Sequence, residues 1–159
     1  MKNAIAVFLM LLCTSLKAQV QVGQMAPDIS LPDAKDSVNK LSSLKGKVVI
    51  IDFWASWCGP CRKSNPFIVK LYNKYKSKGL EVFGVSIDSE KKLWLKAIKQ
   101  DKLNYTQVLD SGTGPYSDIA QQYGVEFIPA TFVLNKDGTI AAIGLDGKEL
   151  EEKINELLQ

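Results

Sequence analysis

Apolar and polar positions along the chain alternate between two rhythms. The runs at 48–54 and 80–87 are almost continuously apolar, short, and rich in β-branched and aromatic residues, so they predict buried strands rather than helices. Elsewhere the apolar residues recur at helical spacing. Over 59–77, Phe67, Ile68, Leu71, Tyr72 and Tyr75 mark one face, and Lys70, Lys74 and Lys78 offer a wet one. Pro66 inside this stretch predicts a bend, because it has no N–H to bond one turn back, and Gly79 predicts its end. Residues 90–101 predict a second helix, with Leu93, Trp94, Ala97 and Ile98 inward and Lys91, Lys92, Lys96 and Lys99 as solvated surface.

The shorter elements follow from turn chemistry. Segments 26–31 and 38–41 flank a polar tip at 33–37 and predict a small hairpin. A turn at 42–46 leads into the central strand. A brief strand is expected at 105–109, then a loop. Pro115 and Gly124 bracket a short helix, in keeping with proline at a first turn and glycine past an end. Strands at 130–134 and 139–144 are joined by a turn signal at 135–138 that ends in Gly138. Residues 148–158 close the chain as an amphipathic helix. Alternating strands and helices followed by a late hairpin predict an α/β fold, a mixed sheet with helices on both faces. No internal repeat or linker divides residues 19–159, which read as one domain.

The start of the chain has a different character. Lys2 precedes an apolar stretch at 4–12 that is too short to span a bilayer and runs into small and polar residues, the pattern of a secretory signal over 1–18 with cleavage after Ala18. An uncleaved anchor is the alternative. Cys13 follows Leu12, where a lipoprotein signal would want a small residue, so lipid anchoring at Cys13 has little support. Without Lys2 and Lys17 the 20 basic residues become 18 against 17 acidic, a net of +1. That balance calls for neither nucleic acid nor an anionic membrane surface. The chain has no histidine, which excludes Cys-His proteases, Ser-His-Asp hydrolases and histidine-ligated metals.

The chemistry gathers where the first buried strand ends. Cys58 and Cys61 stand three residues apart directly after it. If a helix begins at Cys58, its unpaired N–H groups and dipole favour a thiolate there, and the thiolate is the species that attacks disulfides. Cys61, one turn on, is placed to form a disulfide with it. A structural staple is the competing reading, but an oxidised pair at a strand-to-helix corner is expected to be exposed and more readily reduced. A zinc site would need further ligands that the chain lacks once Cys13 is removed. Asp52, a carboxylate on an apolar strand, is costly unless partnered or protonated, so its pKa is expected to be raised. It is the candidate general base for Cys61, with a hydrogen-bonded structural aspartate as the alternative.

Residues 52–61, from Asp52 through Trp57-Cys58-Gly59-Pro60-Cys61, resemble the active-site segment of thioredoxin. Pro66 stands where that family keeps a helix-bending proline, and 127–132 resembles the segment with its cis-proline. The signal, the N-terminal hairpin and the helix at 90–101 resemble a narrower group, the TlpA/ResA-like extracytoplasmic thioredoxins, over about residues 23–158. The resemblance implies a thioredoxin fold with an N-terminal β-hairpin extension and an inserted helix. It also implies thiol-disulfide exchange without a cofactor and a cis Pro129 packed against the cysteines. Ile128 would then offer its carbonyl and N–H to an extended substrate segment, with Trp57, Gly59 and Pro60 as the opposite lip. Two positions depart from the family pattern. Gly84 stands where a lysine usually neighbours the buried acid, and Ser64 stands where a glutamate often follows the second cysteine.

The leading expectation is an extracytoplasmic disulfide reductase, a monomer that acts on oxidised protein thiols, apocytochromes among them, and is kept reduced by a membrane-embedded thiol-disulfide donor. The Gly59-Pro60 pair resembles reductants more than strong oxidants. A thiol peroxidase is one alternative, but Ala55 stands where its catalytic threonine would be. A non-enzymatic chaperone or binding module is the other, and it would leave Cys58 and Cys61 without a role.

Overall fold

The computed structural model describes residues 20–112 and 118–159. The expected signal segment, Cys13 and Pro115 lie outside these residues. β1 (Ser30–Pro32) and β2 (Val38–Lys40) form the expected hairpin as a two-stranded antiparallel sheet. It is shorter than the pattern predicts. Met25 bridges Thr139 and Ala26 donates to the Gly138 carbonyl, so the segment before β1 follows the late hairpin instead of β2.

Five strands make the main sheet: β3 (Val48–Trp54), β4 (Leu80–Ser86), β5 (Thr106–Leu109), β6 (Ala130–Leu134) and β7 (Ile140–Ile143), in the order β5-β4-β3-β6-β7. β3, β4 and β5 run parallel, while β6 and β7 are antiparallel to their neighbours. Every residue of β3 is buried, which is why its sequence is apolar almost throughout and not alternating.

The two faces of the sheet carry separate cores. Val48, Ile50 and Trp54 of β3 pack beneath α1 (Gly59–Tyr75), α2 (Lys91–Asp101) and α4 (Gly147–Leu157). Val49, Ile51 and Phe53 face the N-terminal hairpin and α3 (Asp118–Gln122). On that second face Phe53, Tyr123 and Phe132 form an edge-packed aromatic cluster with centroids 5.1–5.8 Å apart. Tyr123 is buried, and its hydroxyl donates to the Pro27 carbonyl.

The inserted helix α2 begins at Lys91, one residue later than its pattern indicates, and buries Trp94 and Ala97. Ile98 packs against the same core, but Leu93 does not turn inward: it is 51% exposed. Lys91 is more than solvated surface, since it pairs with Asp36 of the hairpin tip at 2.5 Å. α1 runs through Pro66 to Tyr75 and passes into a short 3-10 turn, Lys76–Lys78, that Gly79 closes with φ +102°.

Candidate active site

β3 delivers the chain to the redox corner. After Trp54, the Cys58 N–H donates to the Ala55 carbonyl at 3.1 Å, and α1 starts at Gly59 with Cys58 as its N-cap. The Cys61 N–H lies 3.2 Å from Cys58 Sγ. A sulfur in this position receives an unpaired amide of the first turn and sits at the positive end of the helix dipole. No acidic residue in that first turn opposes a negative charge on it. Cys58 and Cys61 are joined as a disulfide with Cα atoms 5.3 Å apart.

The pair is less open than its corner position leads one to expect. Cys58 is 5% exposed and Cys61 fully buried. Ile128 packs against the core that holds both cysteines, and its carbonyl oxygen is 3.8 Å from Cys58 Sγ. The Ile128–Pro129 peptide is cis. Trp57 is 65% exposed, and Gly59 and Pro60 are exposed beside it. Between Trp57 and the Ile128 segment runs an apolar cleft of about 270 Å³, also lined by Ile87, Val125 and Phe127. Phe127, 83% exposed, belongs to this cleft although its sequence context singles out only Ile128 and Pro129.

Asp52 lies on the α1 side of β3, 2% exposed, and burial alone pushes its pKa from 3.8 up to about 7. Desolvation disfavours the charged carboxylate and no cation among the described residues compensates. No hydrogen bond from those residues contributes to its shift. A cavity of about 120 Å³ connects it to Ser64, Pro129, Thr131 and Asp146. Both departures from the family pattern meet here. Gly84 is the register partner of Asp52 on β4, and Ser64 lines the cavity while donating to the Cys61 carbonyl at 2.9 Å.

Two anchors absent from the sequence-based expectations hold the loop in front of Cys58, and both grip Ser56. The buried carboxylate of Asp88, just past β4, accepts from the Ser56 N–H at 2.8 Å, the Ser56 hydroxyl at 2.6 Å and the Ser86 hydroxyl at 2.7 Å. Arg62 donates to the Ser56 carbonyl at 3.0 Å. Its guanidinium is held in turn by Asp101 of α2 at 2.5 and 2.7 Å. Burial pushes the Asp101 pKa up, but hydrogen bonds from Arg62 and Asn65 outweigh it and the net shift is downward. Bonding to Asp101 raises Arg62. Ser56, Asp88 and Arg62 carry polar signals at element ends, yet nothing local pairs residues 32 and 39 positions apart.

Among the described residues no group of three or more acidic, cysteine or histidine side chains could hold a metal. The arrangement suits a nucleophilic sulfur, a resolving sulfur one turn deeper, and a buried acid that can take a proton near neutral pH.

Known proteins similar to this chain are thiol-disulfide oxidoreductases. The Redoxin family profile matches residues 21–158. A thiol-disulfide oxidoreductase ResA of Bacillus cereus is 33% identical over 143 residues, covering 90% of this chain and 80% of that protein. The Bacillus subtilis (strain 168) ResA is 30% identical over 142 residues, covering 89% and 76%. Among solved structures, the thioredoxin domain of a thiol-disulfide oxidoreductase from Bacteroides vulgatus superposes with a TM-score of 0.82 at 33% identity, covering 89% of this chain and 100% of that one. A thiol:disulfide interchange protein from Bacteroides sp. gives 0.80 at 34% identity, with coverage of 87% and 91%.

Proposed function

This chain belongs to the redoxin family and is a thiol-disulfide oxidoreductase with a thioredoxin fold, and from that premise we propose that it reduces protein disulfides outside the cytoplasm. Cys58 is the attacking thiolate, Cys61 the resolving thiol and Asp52 the general base. The observation that carries this reading is the position of Cys58 Sγ at the N-cap of α1, facing the Cys61 N–H at 3.2 Å.

The reaction begins with both cysteines reduced. Cys58 thiolate attacks one sulfur of a substrate disulfide, forming a mixed disulfide and releasing the other substrate sulfur as a thiolate. Asp52 takes the Cys61 proton, and Cys61 then attacks Cys58 Sγ. The Cys58–Cys61 bond forms, the mixed disulfide breaks, and the second substrate sulfur leaves to be protonated. Two electrons pass to the substrate. A carboxyl poised near pH 7 suits this proton transfer, and its cavity gives it a route to solvent.

Substrate is held as an extended segment. The backbone of Ile128 pairs with it, and Trp57, Gly59, Pro60 and Pro129 border the entry to Cys58. The signal-like pattern over 1–18 supports export, and a membrane-embedded thiol-disulfide donor would return the electrons. With dithiothreitol as donor, the protein is expected to accelerate the reduction of insulin disulfides. A folded protein with reduced cysteines that gives only the uncatalysed rate would sink the reductase reading.

A further inference from the structure

Among the described residues, four buried side-chain atoms lack a hydrogen-bond partner: Asn65 Oδ1, Trp94 Nε1, Tyr105 OH and Gln107 Nε2. They belong to the side of the sheet covered by α1 and α2, the same side as Asp52. Gln107 stands out for its place in the strand register. Asp52, Gly84 and Gln107 are partners on three neighbouring parallel strands, so their side-chain positions line one face about 4.8 Å apart.

Gly84 leaves the middle position empty, and the Gln107 carboxamide fills it. A Cβ on residue 84 would lie 2.5 Å from Gln107 Nε2 and 2.6 Å from Oε1. The amide therefore rests over Gly84, in the lane beside Asp52. Its orientation is fixed chemically. Trp54 Nε1 can only donate, and it meets Gln107 Oε1 at 2.9 Å, which leaves the two N–H groups of Nε2 unused. Asp52 for its part gains nothing from any hydrogen bond or ion pair among the described residues. An unused donor and a carboxyl without donors thus occupy adjoining positions in the core, where both omissions are costly.

We propose that Gln107 is a positioning residue for Asp52: once Asp52 gives up its proton, the Nε2 amide donates to the carboxylate, by a small side-chain turn or through one water, and sets the pH at which Asp52 can act as a base. This rests on the reading of Asp52 as the base for Cys61. The other groups that face Asp52 do not supply that donation. Ser64 comes from α1 and lines the cavity beside Asp52, but it already donates to a backbone carbonyl. Thr131 on β6 donates to the Leu145 carbonyl. Asp146, before α4, lines the same cavity and is itself acidic. Tyr105 is pushed well up, by burial first and then by the charge of Asp52, which places it within electrostatic reach of the same lane. The Gln107 amide draws Tyr105 the other way, but the two groups stand short of hydrogen-bond geometry, and Nε2 carries two N–H groups, so a donor is left for Asp52.

The test is a carbon-13 NMR titration of the Asp52 carboxyl in the reduced protein, assigned by its loss in Asp52→Asn. Gln107→Met keeps the length of the side chain and removes the amide. Gly84→Ala drives the amide out of the lane. Each is expected to raise the Asp52 midpoint by about half a pH unit or more, with the pH profile of mixed-disulfide resolution moving in step. A folded Gln107→Met protein whose Asp52 midpoint stays at the wild-type value overturns the proposal; if that variant does not fold, an unmoved midpoint in Gly84→Ala does so. Should Asp52→Asn leave resolution at its wild-type rate, the base role fails, while the NMR midpoint still decides whether Gln107 donates.

Discussion

The N–H of Cys61 faces the Sγ of Cys58 across 3.2 Å, so in the proposed reaction the resolving residue also steadies the attacking sulfur. The amide favours charge on Cys58, and the thiol of the same residue waits one turn inside the helix, fully buried. This asymmetry is the basis for the proposed order of attack: Cys58 keeps 5% of its surface open and Cys61 none.

The order is open to direct observation. Cys61→Ser is expected to accumulate mixed disulfides through Cys58, visible on non-reducing gels and by mass spectrometry, whereas Cys58→Ser is expected to accumulate none. Equal trapping by the two variants would reverse the assignment.

Asp52 yields a kinetic and a thermodynamic expectation. Asp52→Asn should slow release of the mixed disulfide more than its formation, and should flatten the rise of the release rate through about pH 7. The stability effect has the opposite sense to that of a salt-bridged carboxylate. The folded-state pKa is raised, so the folded protein binds the proton more tightly than the unfolded chain. The stability this contributes is complete below about pH 4 and is lost as pH rises through about 7. Asparagine cannot ionise. Asp52→Asn should therefore stabilise the protein at pH 8 by up to about 4 kcal/mol and change little at pH 4, as read from urea denaturation.

Asp88 governs the loop in front of the cysteines. Its removal strands the Ser56 N–H, the Ser56 hydroxyl and the Ser86 hydroxyl, all now bound to one buried carboxylate. Asp88→Ala is expected to cost about 2–4 kcal/mol in urea denaturation, and Ser56→Ala about 1 kcal/mol. An Asp88→Ala protein as stable as wild type would show that Ser56 is held from the Arg62 side alone.

Much of the site is legible along the chain because its decisive contacts are local. Cys58 and Cys61 are one helical turn apart, and a buried strand ending just before them leaves the helix nowhere else to begin. The burial of Asp52 is equally plain from the apolar residues on either side of it. Leu93 shows where periodicity falls short: it fits the inward pattern of α2, but only the packed neighbours determine how wide the inward face is. No local pattern shows the covering of the disulfide, since Ile128 reaches Cys58 from 70 residues away; only the family resemblance places that segment against the cysteines.

Backbone propensity and short spacing suffice for the strand-turn-helix corner, the two sulfurs at its mouth and the ionisable group behind them, so the order of residues alone dictates all three. What surrounds these groups is a product of packing: Asp88 and Arg62 on Ser56, Phe127 on the cleft, and Gln107 over Gly84. Each depends on which residues the strand register and helix contacts bring face to face, and the partners are 32 and 53 positions apart along the chain in the Ser56–Asp88 and Trp54–Gln107 contacts. A side chain's donor or acceptor is written in its own letter, but its partner is fixed only when separate strands settle into one sheet.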